Sequence, residues 1–374
     1  MRRIILVDTT LRDGAQAPDV FFSVKEKFRI AAKLVQTGIT EIEAGIPAMG
    51  EDECHAIKTI VDEFSWCRIS SWCRAKSDDI AMAQRTGCDT VHISFPMSDI
   101  HLKAMHRDES WLVENMYMIV SESKDLFNRI TIGLQDATRA PLPRVISFIR
   151  SCMSMGVKRF RIADTVGILT PFGTSKLITE IKSAFQEIEI DFHAHNDLGM
   201  ATANAVTALM SGADAVSVTV NGIGERAGNA SLEEVVMAIV RSVPDLAVTV
   251  NTRELSDLCS MVGFFSQSPI APDKPVIGSS VFTHESGIHC NAIIADHNTY
   301  EPFDPALVGR PPSNFVAGSH SGTSGIIAML GDEGKVLSRE DVKDVIPFIR
   351  QAAIQKRRSL FASEVKQIFK EGVL

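Results

Sequence analysis

Two histidines one residue apart, His193 and His195 in "DFHAHND", close an apolar run. Residues i and i+2 of an extended strand point to one face, so both imidazoles can reach a single ion. The pair by itself is ambiguous, since histidines at a strand end also bond to neighbours and water. Asp13, in "DTTLRDGAQAP", would add a carboxylate, and Asn221 or Asn229, in "NGIGERAGN", would add an amide oxygen. A mixed nitrogen and oxygen set of this kind leaves exchangeable positions for an incoming ligand and accepts Mg, Mn, Co or Zn.

Something must bring these distant segments together. Eight β-rich runs recur along the chain, at 4–9, 41–45, 67–73, 90–96, 129–135, 159–164, 189–195 and 215–221. Amphipathic segments separate them, among them "SVKEKFRIAAKLVQTG", where Ser23 can cap the start and Gly38 the stop. A strand followed by a helix, repeated eight times, predicts an α/β fold of the (β/α)8 TIM-barrel kind, about 250 residues long. A doubly wound sheet would rarely carry so many evenly spaced parallel strands.

In a TIM barrel the functional side chains gather at the C-terminal ends of the strands. That rule assembles Arg12, Asp13, Gln16, Glu43, Arg74, His101, Lys103, Gln135, Asp164, Thr165, the two histidines and the "NGIGERAGN" loop on one rim. Glu43 reads as a rim carboxylate held by Arg12 or another arginine, or as a substrate contact. Arg226 either neutralises an anionic substrate or pairs with Glu225, and Arg74 is either a solvated helix-start residue or a ligand contact. The glycines of the eighth loop are not a dinucleotide fingerprint: they follow the last strand and lack the downstream acidic residue.

After about residue 245 the rhythm breaks, and "SQSPIAPDKPVIGSS" reads as a linker. We expect a barrel over residues 1–265 and a linker with C-terminal, mostly helical subdomains over 266–374, including helices opened by Ser338. His289 and Tyr300 fall outside the barrel.

Composition narrows the field. A net charge of -8 argues against nucleic acid and anionic membranes as partners. The seven dispersed cysteines, with no CxxC pair, fit free thiols in a cytoplasmic setting. No signal peptide or membrane span is read at the start or elsewhere.

Seven stretches, "DTTLRDGAQAP", "GIPAMGEDE", "RIADTVG", "HAHNDLGMATANA", "NGIGERAGNASLEEVV", "HESGIH" and "YEPFDPALVG", together resemble the metal-dependent isopropylmalate, citramalate and homocitrate synthase family. They are spread over nearly the whole chain. "EIEAGIPAMGEDE", "WCR" and "YEPFDP" look most like the nitrogen-fixation type of homocitrate synthase. The resemblance implies a Claisen-type condensation of acetyl-CoA, the co-substrate, with a 2-oxo acid. A divalent metal would be held by Asp13, His193, His195 and Asn229, Arg12 would contact the 2-oxo oxygen, and Thr165 would hold the acid's carboxylate. Further implied are a catalytic His289, with Tyr300 nearby, delivered by a lid to the other subunit of a domain-swapped homodimer, and no leucine-type feedback domain.

Two positions depart from the family pattern. Ala15 stands where close members often carry glutamate, and Gln135 stands where synthases usually carry a glutamate at the end of strand five. Glutamine cannot accept a proton, though its amide still donates and accepts hydrogen bonds. The expected substrate is 2-oxoglutarate, giving homocitrate, with Arg74 as the candidate partner of its far carboxylate. Oxaloacetate, giving citrate, and 2-oxoisovalerate, giving isopropylmalate, are the alternatives within the same chemistry. The family's lyases place a reactive cysteine in the eighth loop and its carboxyltransferases a lysine ligand on strand five, and neither is present. A non-catalytic descendant is the remaining reading, raised by Ala15 and Gln135.

Overall fold

A computed structural model describes residues 1–331 and 337–372. The chain divides into two compact units, Met1–Ile270 and Ala271–Leu374. In the first, eight parallel strands close a barrel in chain order: β1 (Ile5–Asp8), β2 (Glu41–Gly45), β3 (Arg68–Arg74), β4 (Thr90–Pro96), β5 (Arg129–Gln135), β6 (Arg159–Asp164), β7 (Glu189–Ala194) and β8 (Ala215–Val218). β8 pairs with β1, matching Leu6 to Val216, so no edge is left open. The TIM barrel expected from the strand-helix rhythm is therefore present. The ends of β1 and β3 shift by one residue from expectation, β7 stops one residue before His195, and β8 stops three residues early, at Val218, ahead of Asn221, which turns to φ 60°.

Helices follow the strands for identifiable reasons. Helix α1 (Val24–Thr37) opens with a reciprocal capping box between Ser23 and Glu26 and ends at a left-handed Gly38, as the sequence predicts. Its buried stripe includes Ile30, Ala31 and Leu34.

Strands β4 to β7 alternate in side-chain type. One face of β4 to β7 carries Val91, Ile93, Phe95, Ile132, Leu134, Phe160, Ile162, Ile190 and Phe192, each without solvent exposure, which bury apolar area under the helices. The alternate residues are charged or polar: Glu41 and Glu43 on β2, His92 and Ser94 on β4, Arg159 and Arg161 on β6, Asp191 and His193 on β7. Such a barrel centre holds ion pairs in place of the usual packed aliphatic layers.

The second unit has its own apolar core, built from Ala317, Ile326, Leu330, Val342, Ile349, Leu360 and Val365 among others. Helices span Gly287–Ala295, Thr323–Leu330, Arg339–Lys343, Ile346–Lys356 and Ala362–Gly372. Ser338 caps the third of these in a capping box with Asp341. Among the described residues no helix is long and apolar enough to cross a membrane.

Candidate active site

Residues Arg12 to Gln16 are set by a tight reversal after β1. The backbone N–H groups of Arg12, Asp13 and Gly14 all donate to the carbonyl of Thr9, at 3.1, 2.8 and 3.1 Å. Thr9 is in turn tied to Val218 of β8 through its own N–H, at 2.8 Å. This reversal throws the Arg12 and Asp13 side chains back over the barrel centre. Arg12 is 8% exposed and Asp13 2%.

Asp13 meets both histidines. Its Oδ2 lies 3.2 Å from His193 Nε2 and 3.9 Å from His195 Nε2, and the two imidazole nitrogens are 3.2 Å apart. Among the described residues this is the one place where three such ligand atoms gather. Burial, then the neighbouring His193, push the His195 pKa down to about 3, so its ring is neutral and offers a lone pair. Burial works against the Asp13 charge, but Arg12 and a hydrogen bond from His193 hold its carboxyl well below the usual range. One carboxylate and two inward imidazoles are the donor set a divalent ion takes.

The eighth loop supplies a fourth group. Asn229 pairs with His195 across an isolated β-bridge, and its Nδ2 donates to Asp13 Oδ1 at 3.2 Å and to the Ile223 carbonyl at 3.1 Å. Its Oδ1 is buried without a hydrogen-bond partner, as are Nδ1 of His193 and Nδ1 of His195. An unsatisfied buried oxygen beside a carboxylate and two imidazoles fits the ligand set of a divalent cation. Asn221, the other candidate, is committed elsewhere, its Nδ2 donating to the Cys259 carbonyl at 2.9 Å. The loop glycines are structural: a Cβ on Gly228, at φ 84°, would strike the Gly222 carbonyl, and one on Gly224 would strike Asn229.

Beneath this cluster runs a buried ion chain. Arg12 Nε donates to Glu43 Oε1 at 2.5 Å, Arg161 Nη1 to Glu43 Oε2 at 2.7 Å, and Arg161 Nε to Asp191 Oδ2 at 2.7 Å. Ser217 Oγ closes the chain on Asp191 at 3.0 Å. Although burial opposes the charge, Arg12 and Arg161 keep the Glu43 carboxyl low. Trp72 lies under the guanidinium of Arg12, 5.6 Å from ring centre to Cζ.

A cavity of about 200 Å³ opens over these groups. Of the residues singled out from sequence, Arg12, Asp13, Gln16, Gln135, Thr165, Arg226, His193 and His195 line it. Thr165 Oγ1 accepts the Asp136 N–H at 2.8 Å, which fixes its hydroxyl beside Gln135. Two expected substrate contacts are corrected. Glu43 is fully buried and spends both oxygens on Arg12 and Arg161, so it holds Arg12 and does not line the cavity. Arg74 donates to Asp79 at 2.9 and 2.8 Å, clamping the helix at Ser77–Gln84, and lies outside the lining.

Arg226 pairs with Asp197, at 2.7 and 2.9 Å, where sequence suggested Glu225. His289 and Tyr300, in the second unit, stack on each other with ring centres 4.0 Å apart. All seven cysteines are buried free thiols, and burial pushes Cys67 and Cys152 up to about 12, so none of the seven offers an exposed nucleophile. Sequence reasoning missed Trp72, His92, Ser94 and Arg161, which also line the cavity. A Cβ on Gly133 of β5 would strike His92 Nε2, so the glycine makes room for that imidazole.

The family model for HMGL-like proteins matches residues 3–262, and the one for the homocitrate synthase post-HMGL domain-like region matches 276–357. The chain belongs to the HMGL-like family. It is 39% identical over 372 residues to 2-isopropylmalate synthase 2 of Caldanaerobacter subterraneus, covering 99% of this chain and 96% of the relative. It is 38% identical over 373 residues to homocitrate synthase 1 of a Nostoc species, covering 99% and 98%. Within the family it falls among these synthases and is an acyltransferase of their class. The HMG-CoA lyase of Bacillus subtilis shares the fold at a TM-score of 0.66 and 19% identity, covering 72% of this chain and 96% of the lyase.

Proposed function

We propose that the protein condenses acetyl-CoA with a 2-oxo dicarboxylic acid, 2-oxoglutarate, to give homocitrate and CoA. The observation that carries the reading is the convergence of Asp13, His193 and His195 next to the Arg12 guanidinium, inside one cavity. A divalent ion held there would act as a Lewis acid on the 2-oxo acid's carbonyl. Arg12, fixed by Glu43 and by Asp13 at 2.8 Å, presents positive charge where the ketone oxygen becomes an alkoxide. Its ion pairs leave it little freedom to reorganise, so the charge is pre-positioned. The Thr165 hydroxyl, which accepts the Asp136 N–H, would bind the acid's carboxylate.

The choice of a dicarboxylic acid rests on the cavity wall. His92 and Ser94 of β4 line it beside Gly133, giving a polar end where a branched alkyl group would find few apolar partners. Proton removal from the acetyl methyl needs a base that Gln135 cannot be. We assign that task to His289 and Tyr300, contributed by the second copy in a domain-swapped homodimer, with Gln135 as a hydrogen-bonding neighbour of the reacting acid.

Thiol release from acetyl-CoA, measured in steady state with 2-oxoglutarate, oxaloacetate and 2-oxoisovalerate, tests the reading. The highest kcat/KM is expected for 2-oxoglutarate. A higher value for 2-oxoisovalerate would move the protein to isopropylmalate formation, and a higher value for oxaloacetate to citrate formation. No turnover of any acid, with no tightening of metal binding by 2-oxo acid, would mark a non-catalytic descendant.

A further inference from the structure

A second cavity, of about 390 Å³, lies at the opposite, N-terminal ends of β4, β5 and β6. It is walled by Arg68, Lys124, Phe127, Arg129, Lys158 and Arg159. Five cationic side chains thus surround one hollow in a chain whose net charge is -8. The carboxylates nearby do not match them in number. Glu41 is shared by two guanidiniums, Arg159 at 2.7 Å and Arg68, while Glu189, the acid in the wall, stands 3.9 Å from Arg159. Asp89 reaches Arg129 at 3.6 Å across an exposed surface, where solvent screens the pair. Lys124 and Lys158 are exposed, and no carboxylate is within ion-pair distance of either among the described residues. Lys124 Nζ lies 3.8 Å from where a Cβ on Gly156 would stand.

Two buried donors are left over. Arg159, 8% exposed, keeps Nη2 without a hydrogen-bond partner, and Arg68 does the same with Nε. Both atoms are closed off from solvent, so an oxyanion entering the hollow would meet the exposed cations first, Arg129 and the unpaired Lys124 and Lys158. The volume exceeds what an inorganic ion fills and falls in the range of small-molecule pockets. Phe127, Ile130 and Val157 add apolar wall to the same hollow.

We propose that this cavity binds a small phosphorylated molecule, with the phosphate on the arginine and lysine cluster and an apolar body against Phe127 and Val157. The site is separate from the proposed condensation and stands or falls without it. Calorimetric titration of the full chain at fixed ionic strength, with inorganic phosphate and phenyl phosphate as probes, tests it. One site per chain is expected, with phenyl phosphate binding about threefold or more tighter because its ring is buried. The double charge reversal Lys124→Glu with Lys158→Glu should raise both Kd values about tenfold or more. His195→Ala, at the other mouth, should leave them unchanged. Arg129→Glu repeats the test should the double variant melt early. No binding below about 10 mM, Kd values insensitive to the charge reversals, or binding lost in His195→Ala would each overturn the proposal, and equal Kd values for the two probes would overturn the apolar half of it.

Discussion

Asp13 carries two roles that pull in one direction. As an anion it pairs with Arg12 at 2.8 Å, and as a ligand it faces His193 at 3.2 Å. Asp13→Asn keeps the shape and removes the charge, so divalent metal affinity and kcat/KM should both fall, the latter by about 10³-fold, as expected for several kcal/mol of lost Lewis-acid support. Metal content after dialysis and the thiol-release assay check this; an unchanged metal stoichiometry would contradict the ligand role. Arg161 lines the cavity and also anchors the ion chain beneath it. It holds Glu43 and Asp191, at 2.7 Å each, and both are buried. Arg161→Met should leave those carboxylates short of a partner and cost about 3 to 5 kcal/mol of stability, read from urea denaturation. The two histidines, Asp13 and Arg12 were legible in sequence because their types and strand-end positions are distinctive. Arg161 and His92 were not singled out, although the signal was present: they are the polar members of runs whose alternate residues, Phe160 and Ile162 or Val91 and Ile93, are fully buried. Arg74 misled for the converse reason, since a strand-end arginine looks alike whether it meets a substrate or, as here, Asp79.

At the level of elements, the loop after β8 does the positioning that the strands cannot. β8 ends at Val218, and the chain must return Asn229 to the barrel mouth. It does so through left-handed turns at Asn221, Gly222, Arg226 and Gly228. The Asn229 N–H closes on the Gly222 carbonyl at 3.0 Å. Gly228→Ala would force a Cβ against that same carbonyl at a φ of 84°. A loss of about 1 to 3 kcal/mol in stability is expected, with metal affinity falling about tenfold or more as Asn229 shifts. Thermal melts and metal titration read the two effects separately, and full metal affinity in a destabilised variant would detach Asn229 from the ligand set. The strand-helix rhythm was readable to within a residue or two, because burial under the helices imposes it. The end of β8 was not, because "AVSVTVNG" stays strand-like up to the asparagine whose backbone turns.

Across the whole molecule, titratable groups buried on both faces of the barrel wall make stability a contest between groups that titrate in opposite senses. Desolvation raises Asp8, sealed beneath Thr10, to about 7, whereas burial lowers His195 to about 3. The signs follow from proton counts. Between its ordinary value of 3.8 and about 7 the folded protein holds a proton on Asp8 that the unfolded chain has released, so this group's contribution is present at low pH and lost as pH rises through 7. Between about 3 and 6.5 the unfolded chain holds a proton on His195 that the folded one excludes, so this group's contribution is lost as pH falls. From about pH 4 to 6.5 the two slopes oppose each other. Asp8→Asn removes the first and leaves the second. The variant's urea midpoint, followed from pH 4.5 to 7.5 in metal-free buffer, should therefore drop more steeply on acidification than that of the unaltered protein. The gap between the two should narrow or reverse in the variant's favour toward pH 7.5, where Asp8 no longer carries its proton. Parallel pH profiles would mean that Asp8 is already ionised in the folded state, held by the Thr10 N–H at 2.9 Å and the Thr10 hydroxyl at 3.0 Å.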